Sequence, residues 1–229
     1  MSIKESKSLQ FNSISWRVSL LGEQVVLLEC TSEIEISKIH NSVKTIQELF
    51  GSELKDVVPS YNSIAVFSEL SLDDIIDELS GKVASAKEEK EKSEIIELPI
   101  CYELGMDLDR ISEKTGLSVE AVMDKHLKGI YRSILIGFTP GFIYADGLDP
   151  SLACPRLENP RKHLPSGSIG IGGVQTGIYS LSSPGGWNIL GRTPASIFDA
   201  DREPPMLIDV GMNYKFYRIS KSEFESWEN

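Results

Sequence analysis

The chain has 229 residues, of which 41% are hydrophobic and 25% are charged, so it can bury a core and is not an intrinsically disordered tail. Its formal net charge of −11 repels phosphate backbones and anionic membranes, which excludes nucleic acid and membrane surfaces as expected partners. The length fits one large domain or two small ones, and two is the favoured prediction.

The start of the chain and the cysteines indicate the compartment. The first ten residues are polar and charged, and no apolar run reaches the roughly 18 residues of a membrane span. We therefore predict a cytoplasmic protein without a signal peptide or a membrane anchor. Cys30, Cys101 and Cys154 lie far apart without a C-x-x-C pair, which predicts reduced thiols and neither a disulfide framework nor a zinc site.

Acidic residues are concentrated at the front of the chain. Residues 1–129 carry 24 acidic and 14 basic side chains, whereas residues 130–229 carry 10 and 9. Residues 132–192 hold 11 of the 18 glycines and are locally positive. This composition predicts closely spaced turns and close backbone approaches in the second half of the chain.

The first predicted elements are two strands and a helix. Residues 14–21 and 24–30 are β-branched and aliphatic runs on either side of Gly22, which predicts two strands. Apolar residues then recur three or four positions apart over residues 33–50, which predicts a helix that ends at Gly51.

A second strand pair and a second helix follow. Residues 57–58 and 64–67 are predicted strands, and Ser71 with Asp74 forms a capping-box pattern that opens a helix over residues 72–80. The order β-β-α-β-β-α allows both helices to cover one face of an antiparallel sheet. It predicts an α+β sandwich of the ferredoxin-like kind.

A domain junction is predicted near the run of lysines and glutamates within residues 82–97. Because Glu and Lys are good helix formers, we favour a solvated extension of the preceding helix over a linker. Residues 95–102 are then a predicted strand, in which Pro99 indicates a sheet edge or a bulge.

Residues 107–128 contain two short helical patterns joined by residues 115–118, which resembles a DNA-binding helix-turn-helix. The second helix offers Glu120 and Asp124 beside its lysines, so a packed helical pair is favoured over a DNA-reading motif. After Gly129 the chain alternates strand-like runs with tight turns, which is typical of a small β-barrel or sandwich. Examples of the predicted strands are residues 131–136, 168–171, 187–190 and 206–210.

The standard catalytic motifs do not fit the sequence. Residues 170–177 resemble a nucleotide-binding loop, but Gln175 stands where G-x-G-x-x-G requires glycine and no P-loop sequence is present, so ATP binding by this chain alone is not expected. Ser168 lies one substitution away from G-x-S-x-G and lacks the first glycine of that turn. The three histidines have no ligand spacing, so no metal is expected.

Planar and cationic groups remain unexplained within the glycine-rich segment. Arginine forks pair with carboxylate or phosphate, and amides and aromatic faces orient a ligand without ionising. A binding site and ordinary surface arginines beside a barrel-core tryptophan both stay open as interpretations. The residues are Arg156, Arg161, Gln175, Tyr179, Trp187 and Arg192.

Six sequence blocks of this segment resemble a known family, called KipI, PxpB or allophanate hydrolase subunit 1. The similarity runs from residue 94 to the end, with mild departures at Gly172 and Ser180, where the family more often has alanine and proline. The blocks are GFTPGFIY at residues 137–144, PR at 155–156, PR at 160–161, PSGSI at 165–169, QTGIY at 175–179, and SPGGW at 183–187 followed by GRTP at 191–194.

The resemblance implies a fold and a function. It implies a ferredoxin-like N-terminal domain over residues 1–93 and a cyclophilin-like β-barrel over residues 94–229. Family members work with a PxpC or KipA-like subunit, and the pair resembles the carboxyltransferase part of urea carboxylase. With a PxpA-like subunit they form a bacterial ATP-dependent 5-oxoprolinase, which opens 5-oxo-L-proline to L-glutamate. ATP is then used by the assembled complex, and no cofactor is expected on this chain alone.

The resemblance also gives the planar and cationic groups candidate roles. Arg156, Arg161, Gln175, Tyr179 and Arg192 are the candidates for binding the substrate or a phosphorylated intermediate. The three arginines and Gln175 are expected to converge on one pocket mouth, because turns distant in sequence meet at a barrel rim. No catalytic residue is assigned.

An aromatic patch is the candidate surface for the partner subunit, because aromatic residues are enriched at interfaces. Filling of the barrel by these aromatic residues is the equal alternative. The candidates are Phe138, Phe142, Tyr144 and Trp187.

Other functions stay open beside the 5-oxoprolinase subunit. One is a KipI-type inhibitor of a sensor histidine kinase, and another is a subunit of an allophanate- or urea-related amidohydrolase. Prolyl isomerase activity would rest on the barrel fold alone.

Overall fold

The computed structural model describes residues 6–32, 34–83 and 95–227 of the chain. The chain divides into two compact units, Met1–Lys92 and Ser93–Asn229. Within the described ranges, no helix is both long enough and apolar enough to cross a membrane.

The N-terminal unit is an antiparallel sheet with two helices. Its strands lie in the order β1-β2-β3-β5-β4, and every neighbouring pair is antiparallel. The elements in chain order are β1 (Lys7–Phe11), β2 (Ile14–Leu20), β3 (Val25–Cys30), α1 (Ile36–Phe50), β4 (Leu54–Pro59), β5 (Ser63–Ser68) and α2 (Leu72–Leu79).

The core of this unit consists of every second residue of the strands and of one buried face of each helix. In β2, Ile14, Trp16 and Val18 are buried while the residues between them are exposed. Ile39 of α1 and Ile75 of α2 belong to the same buried cluster. The unit is therefore a sheet layer packed against a helix layer, as the element order predicts.

The helix-boundary signals of the sequence are confirmed. The hydroxyl of Ser71 accepts a hydrogen bond from the Asp74 backbone N–H at 3.1 Å, and the Asp74 carboxylate accepts one from the Ser71 N–H at 3.2 Å. The backbone N–H of Gly51 closes α1 by donating to the carbonyl of Gln47. Both devices satisfy backbone groups that a helix end leaves without partners.

The prediction that α2 extends beyond residue 80 is wrong for residues 80–83, which are not helical. The helix ends at Leu79, and Gly81 adopts a positive φ of 70°, a conformation that turns the chain out of a helix. Residues 84–94, which carry the charge run, lie outside the described residues. Strand β1 was not predicted, so the sheet has one strand more than the four expected, and the ferredoxin-like assignment of this unit is not confirmed.

The C-terminal unit is built around a seven-stranded sheet in the order β13-β10-β11-β8-β7-β14-β6, and β9 pairs with β12 in a separate two-stranded antiparallel sheet. The strands in chain order are β6 (Ile96–Ile100), β7 (Tyr131–Ile136), β8 (Ile143–Asp146), β9 (Arg161–Leu164), β10 (Ser168–Gly172), β11 (Gln175–Tyr179), β12 (Ser183–Gly185), β13 (Asn188–Arg192) and β14 (Asn213–Arg218).

The seven-stranded sheet is nearly closed. Its two edge strands approach where the backbones of Cys101 and Arg192 exchange hydrogen bonds of 2.8 and 3.1 Å. Pro99 lies in the edge strand β6, as predicted, where its missing N–H is tolerated. This arrangement fits the expected cyclophilin-like barrel, and it encloses aliphatic side chains such as Ile169, Ile178 and Leu190.

The strand predicted over residues 206–210 is wrong. Met206 forms an isolated bridge with Phe198, and the residues after it are irregular although Ile208 is fully buried. The apolar residues in 206–210 therefore indicate that this segment is buried, but the segment does not form a strand. The strand that completes the sheet, β14, begins at Asn213.

The helical pair consists of α3 (Leu108–Thr115) and α4 (Val119–Lys128), and a short helix α5 (Lys221–Glu225) follows β14. Ile111 of α3 and Val122 and His126 of α4 are fully buried, the first two within the main barrel cluster. The pair is packed onto the barrel, in agreement with the favoured interpretation over a DNA-reading motif.

Candidate functional site

The candidate residues surround a face of the barrel sheet that is lined by glycines. In β10, Ile169 and Ile171 point into the barrel, so Gly170 and Gly172 present the opposite face. A methyl group added to Gly172 would lie 2.4 Å from the indole ring of Trp187. The glycine therefore lets the tryptophan lie directly on the strand, and an alanine at this position would require the ring to move.

An aromatic cluster covers this glycine face. It consists of Phe142, Tyr144, Tyr179 and Trp187, whose rings meet edge to face with centroid distances of 4.6–5.8 Å. Tyr179 is almost fully buried, and desolvation raises the pKa of its phenol to about 12. Tyr179 therefore stays neutral at physiological pH and acts in packing or as a hydrogen-bonding group, not as a base.

Arg156 lies at the open side of the aromatic cluster. Its guanidinium carbon is 5.5 Å from the centroid of the Trp187 ring, a cation–π distance, while the residue as a whole is exposed. The stacking orients a planar cation whose hydrogen-bond donors still face solvent. Arg156 is thus held on an aromatic face and open to a ligand or a partner.

Arg161 is engaged by a buried carboxylate. Its Nη1 and Nη2 donate to Asp107 Oδ2 and Oδ1 at 3.0 and 2.7 Å, and Asp107 Oδ2 also accepts from the Ile189 N–H at 2.7 Å. Asp107 is 5% exposed. This bidentate pair ties β9 to β13 and to the start of α3, so Arg161 positions the β9–β12 layer over the glycine face.

The four residues expected at one pocket mouth do not all meet. Gln175 is opposite Gly172 in the strand register, whereas Arg192 is opposite Ser168 at the other end of the same strand, four residues or about 13 Å away. Arg156 lies on the Trp187 side, which precedes β13, whereas Arg192 ends it. The physical reason is strand direction: residues at the two ends of one strand belong to opposite rims.

Arg192 lies in an open groove of about 440 Å³ at its own rim. The groove runs between the turn before β10, the end of β11 and the segment that follows β13. The Nε and Nη2 of Arg192 donate to the carbonyl of Ser166 at 3.3 and 3.0 Å, and its guanidinium carbon is 5.1 Å from the ring centroid of Phe224. Burial lowers the pKa of this guanidinium below its ordinary value.

Comparison with known proteins decides the family. The sequence model of one protein family, described as carboxyltransferase domain, subdomain C and D, matches residues 16–208 of the chain. The chain belongs to this family. Two similar proteins carry the name of the 5-oxoprolinase B subunit: that of Bacillus subtilis (strain 168) is 30% identical over 94% of this chain and 98% of its own length. That of Haemophilus influenzae is 36% identical over 72% of this chain and 79% of its own length.

Two solved structures are similar to this member of the family in fold. TTHA0988 superposes with a TM-score of 0.74 and 32% identity over 86% of this chain and 40% of its own. Urea carboxylase of Kluyveromyces lactis superposes with a TM-score of 0.70 over 97% of this chain and 23% of its own, at 18% identity, which shows a shared fold. The chain thus spans less than half the length of these two solved proteins.

The four residues predicted to contact a partner subunit differ in how much of each side chain is exposed. Phe142 and Trp187 are 1% and 5% exposed, so they are buried in the aromatic cluster, which is separate from the core inside the barrel. Phe138 is 63% exposed and has a positive φ of 72°, a backbone conformation that is strained for an aromatic residue. Phe138, with the half-buried Tyr144 beside the cluster, is what this patch offers to a partner.

Sequence reasoning gave no role to Asp107, which determines what Arg161 does. The two residues are 54 positions apart, and no local pattern joins a helix start to a later strand. The available signal was a carboxylate directly before an apolar helical run, which is typical of a helix cap, yet Asp107 makes no side-chain capping bond. Within the described ranges, no cluster of three or more His, Cys, Asp or Glu side chains could hold a metal ion.

Proposed function

We propose that this chain is the PxpB-type component of a cytoplasmic, ATP-dependent 5-oxoprolinase complex, which opens 5-oxo-L-proline to L-glutamate with PxpC/KipA-like and PxpA-like subunits. The observation that carries the proposal is the alignment with a protein named as a 5-oxoprolinase B subunit over 94% of this chain and 98% of that protein. The alignment covers almost the whole of both chains. It therefore supports a shared role as a complete subunit and not only one shared domain.

The chemistry of the reaction fits a subunit that supplies cationic groups. The ring amide of 5-oxoproline is stabilised by resonance, so its opening needs activation, and a phosphorylated intermediate exposes anionic oxygens. Because Asp107 already occupies the fork of Arg161, the guanidinium groups of Arg156 and Arg192 are the ones in this set with donors left for such a ligand. Nucleotide binding falls to another subunit, since no phosphate-binding loop sequence occurs here.

The proposal includes the finer fold assignment. The order β2-β3-β5-β4, with α1 as the crossover from β3 to β4 and with α2 after β5, supports a ferredoxin-like sheet. Its outer strand β2 comes from the N-terminal side, and β1 is added beyond it. The nearly closed seven-stranded sheet supports the cyclophilin-like barrel of residues 94–229.

A related amide is the second candidate substrate. A protein of Emericella nidulans named putative urea carboxylase is 25% identical over 56% of this chain. This similarity supports an allophanate- or urea-related amidohydrolase as the alternative, because urea and allophanate also carry resonance-stabilised amides. Assays of the assembled complex with 5-oxoproline, urea and allophanate separate the two candidates by the substrate that is turned over.

The isolated chain is expected to be inactive. We expect neither ATP-dependent opening of 5-oxoproline nor tight ATP binding by the purified chain, because the site is divided between subunits and no phosphate-binding loop sequence is present. The measurement is glutamate release by the chain alone, with the chain plus its partner subunits as the positive control. Turnover by the single chain, free of host oxoprolinase, would contradict the divided site.

The partner subunit is expected to dock on the turn that carries Phe138. On complex formation, amide hydrogen exchange should slow over residues 137–145 and 156–192, and Phe138→Asn should weaken association at least tenfold, because it removes an exposed aromatic ring. Asparagine suits the positive φ of this position. Met106→Ser, which removes another exposed apolar side chain, is the matched control with unchanged association. Unchanged exchange over both ranges would reject this surface, and selective capture of a histidine kinase would favour the inhibitor function.

A further inference from the structure

The groove at Arg192 combines one cation with aromatic side chains and with hydroxyl groups. Arg192 is the one charged residue among the described residues that line the groove. Phe198, Phe224 and Trp227 supply aromatic surface on its walls. A groove of this kind matches a ligand with a single negative charge and a compact ring that carries polar groups of its own.

The charge of Arg192 has no counterion in the described part of the chain. Two of its three guanidinium nitrogens donate to one carbonyl, that of Ser166, and no carboxylate lies within ion-pair distance of it in the residues described. The stacking on Phe224 fixes the plane of the guanidinium. A fixed, partly desolvated cation with Nη1 left to donate is a ready partner for an anion.

A neutral donor lines the same groove as the cation. Thr193 is 2% exposed and lines the groove, and its Oγ1 accepts a hydrogen bond from the Ala195 N–H at 3.2 Å, which leaves the hydroxyl proton to donate. A hydroxyl donor and a guanidinium donor in the lining of one groove suit a planar carboxylate.

We propose that this groove binds a small cyclic monocarboxylate, whose carboxylate pairs with Arg192 and whose ring lies against Phe198 and Phe224. The identity of the ligand rests on the proposed function, under which it is the carboxylate of 5-oxo-L-proline. The groove is then a ligand site separate from the Arg156–Trp187 end of the barrel, which lies at the opposite end of β13.

The direct test is a chemical-shift titration of the full-length, isotope-labelled chain, followed at the amides of Gly167 and Thr193. The probes are 5-oxo-L-proline, 2-pyrrolidinone, which is the same ring without the carboxylate, and inorganic phosphate. We expect 5-oxoproline to shift these amides, and 2-pyrrolidinone to bind at least tenfold more weakly, since a charge-assisted hydrogen bond is lost. Equal binding of 2-pyrrolidinone, tighter binding of phosphate, or no shift with 5-oxoproline would overturn the proposal.

Variants locate the charge. Arg192→Met should weaken 5-oxoproline binding at least tenfold, and Arg192→Lys should restore only part of it, because lysine keeps the charge without the planar fork. Arg218→Met, which removes an equally charged surface residue of the same unit paired with Glu120, is the control and should change binding less than twofold. Wild-type affinity in Arg192→Met, with an otherwise unchanged amide spectrum, would overturn the proposal.

The assembled complex separates this inference from the proposed function. If the wild-type complex opens 5-oxoproline and Arg192→Met leaves its KM unchanged, the groove proposal fails and the function stands. If the wild-type complex does not open 5-oxoproline, the function fails, and the titration still decides whether the groove binds a cyclic carboxylate.

Discussion

Replacing Asp107 by alanine is expected to lower the free energy of unfolding by about 3 kcal/mol, the lower end for removal of one partner of a buried ion pair. The carboxylate is 5% exposed and accepts three hydrogen bonds, two from Arg161 and one from the Ile189 N–H. The side chain of Arg161 is 29% exposed, so it regains part of its hydration, which keeps the loss at this lower end.

The measurement is denaturant unfolding of Asp107→Ala against Asp109→Ala, which removes an exposed carboxylate two positions along in the same helix. The control should change the free energy of unfolding by no more than about 0.5 kcal/mol. The double variant with Arg161→Met completes a cycle, in which we expect a coupling energy of at least about 1 kcal/mol. Additive single effects would show that the two side chains do not stabilise each other.

The second large effect concerns pH and the buried His126. Its ring is fully buried between Tyr131 and Phe216, and its Nδ1 is 2.6 Å from the Tyr102 hydroxyl. Desolvation lowers the pKa of this imidazole from its ordinary 6.5 to about 3, so the ring is neutral in the folded chain. Below pH 6.5 the unfolded chain takes up a proton that the folded chain does not.

Protonation of His126 therefore favours unfolding in acid. The stability that comes from the neutral ring is complete above pH 6.5 and is lost as the pH falls, by about 3 kcal/mol between pH 7 and pH 4. The variant His126→Phe keeps an aromatic ring against Phe216. In this variant the loss of about 3 kcal/mol between pH 7 and pH 4 should be absent, even if the substitution also changes the free energy of unfolding at pH 7. The exposed His163→Phe is the control and should retain the slope. Identical slopes in wild type and His126→Phe would contradict a buried neutral imidazole.

Local signals in the sequence predicted local structure well. The Ser71–Asp74 capping box, the glycine end of α1 and the edge position of Pro99 each depend on residues within one or two turns of chain. Burial was also predictable, since Ile208 is buried as its apolar run implies. Strand β1 escaped prediction because Lys7, Ser8 and Gln10 make it look polar, although Leu9 and Phe11 alternate inward.

The site was predictable only in composition. The composition of the glycine-rich segment draws attention to its arginines and aromatic residues, but the grouping of these residues in space depends on strand direction and register. Arg156 and Arg192 are separated by the length of β13, and Arg161 is paired with Asp107 across 54 positions. Pairings over such distances follow from the closed sheet, which no short sequence pattern specifies.

Under the proposed function, this chain is a required subunit of a complex that opens 5-oxoproline at the expense of ATP. The most direct measurement is glutamate formation from 5-oxo-L-proline and ATP by the three co-purified subunits, compared with the same mixture without this chain. We expect turnover in the complete mixture and none when this chain or ATP is left out. Full turnover without this chain, or none in an intact three-subunit complex, would contradict it.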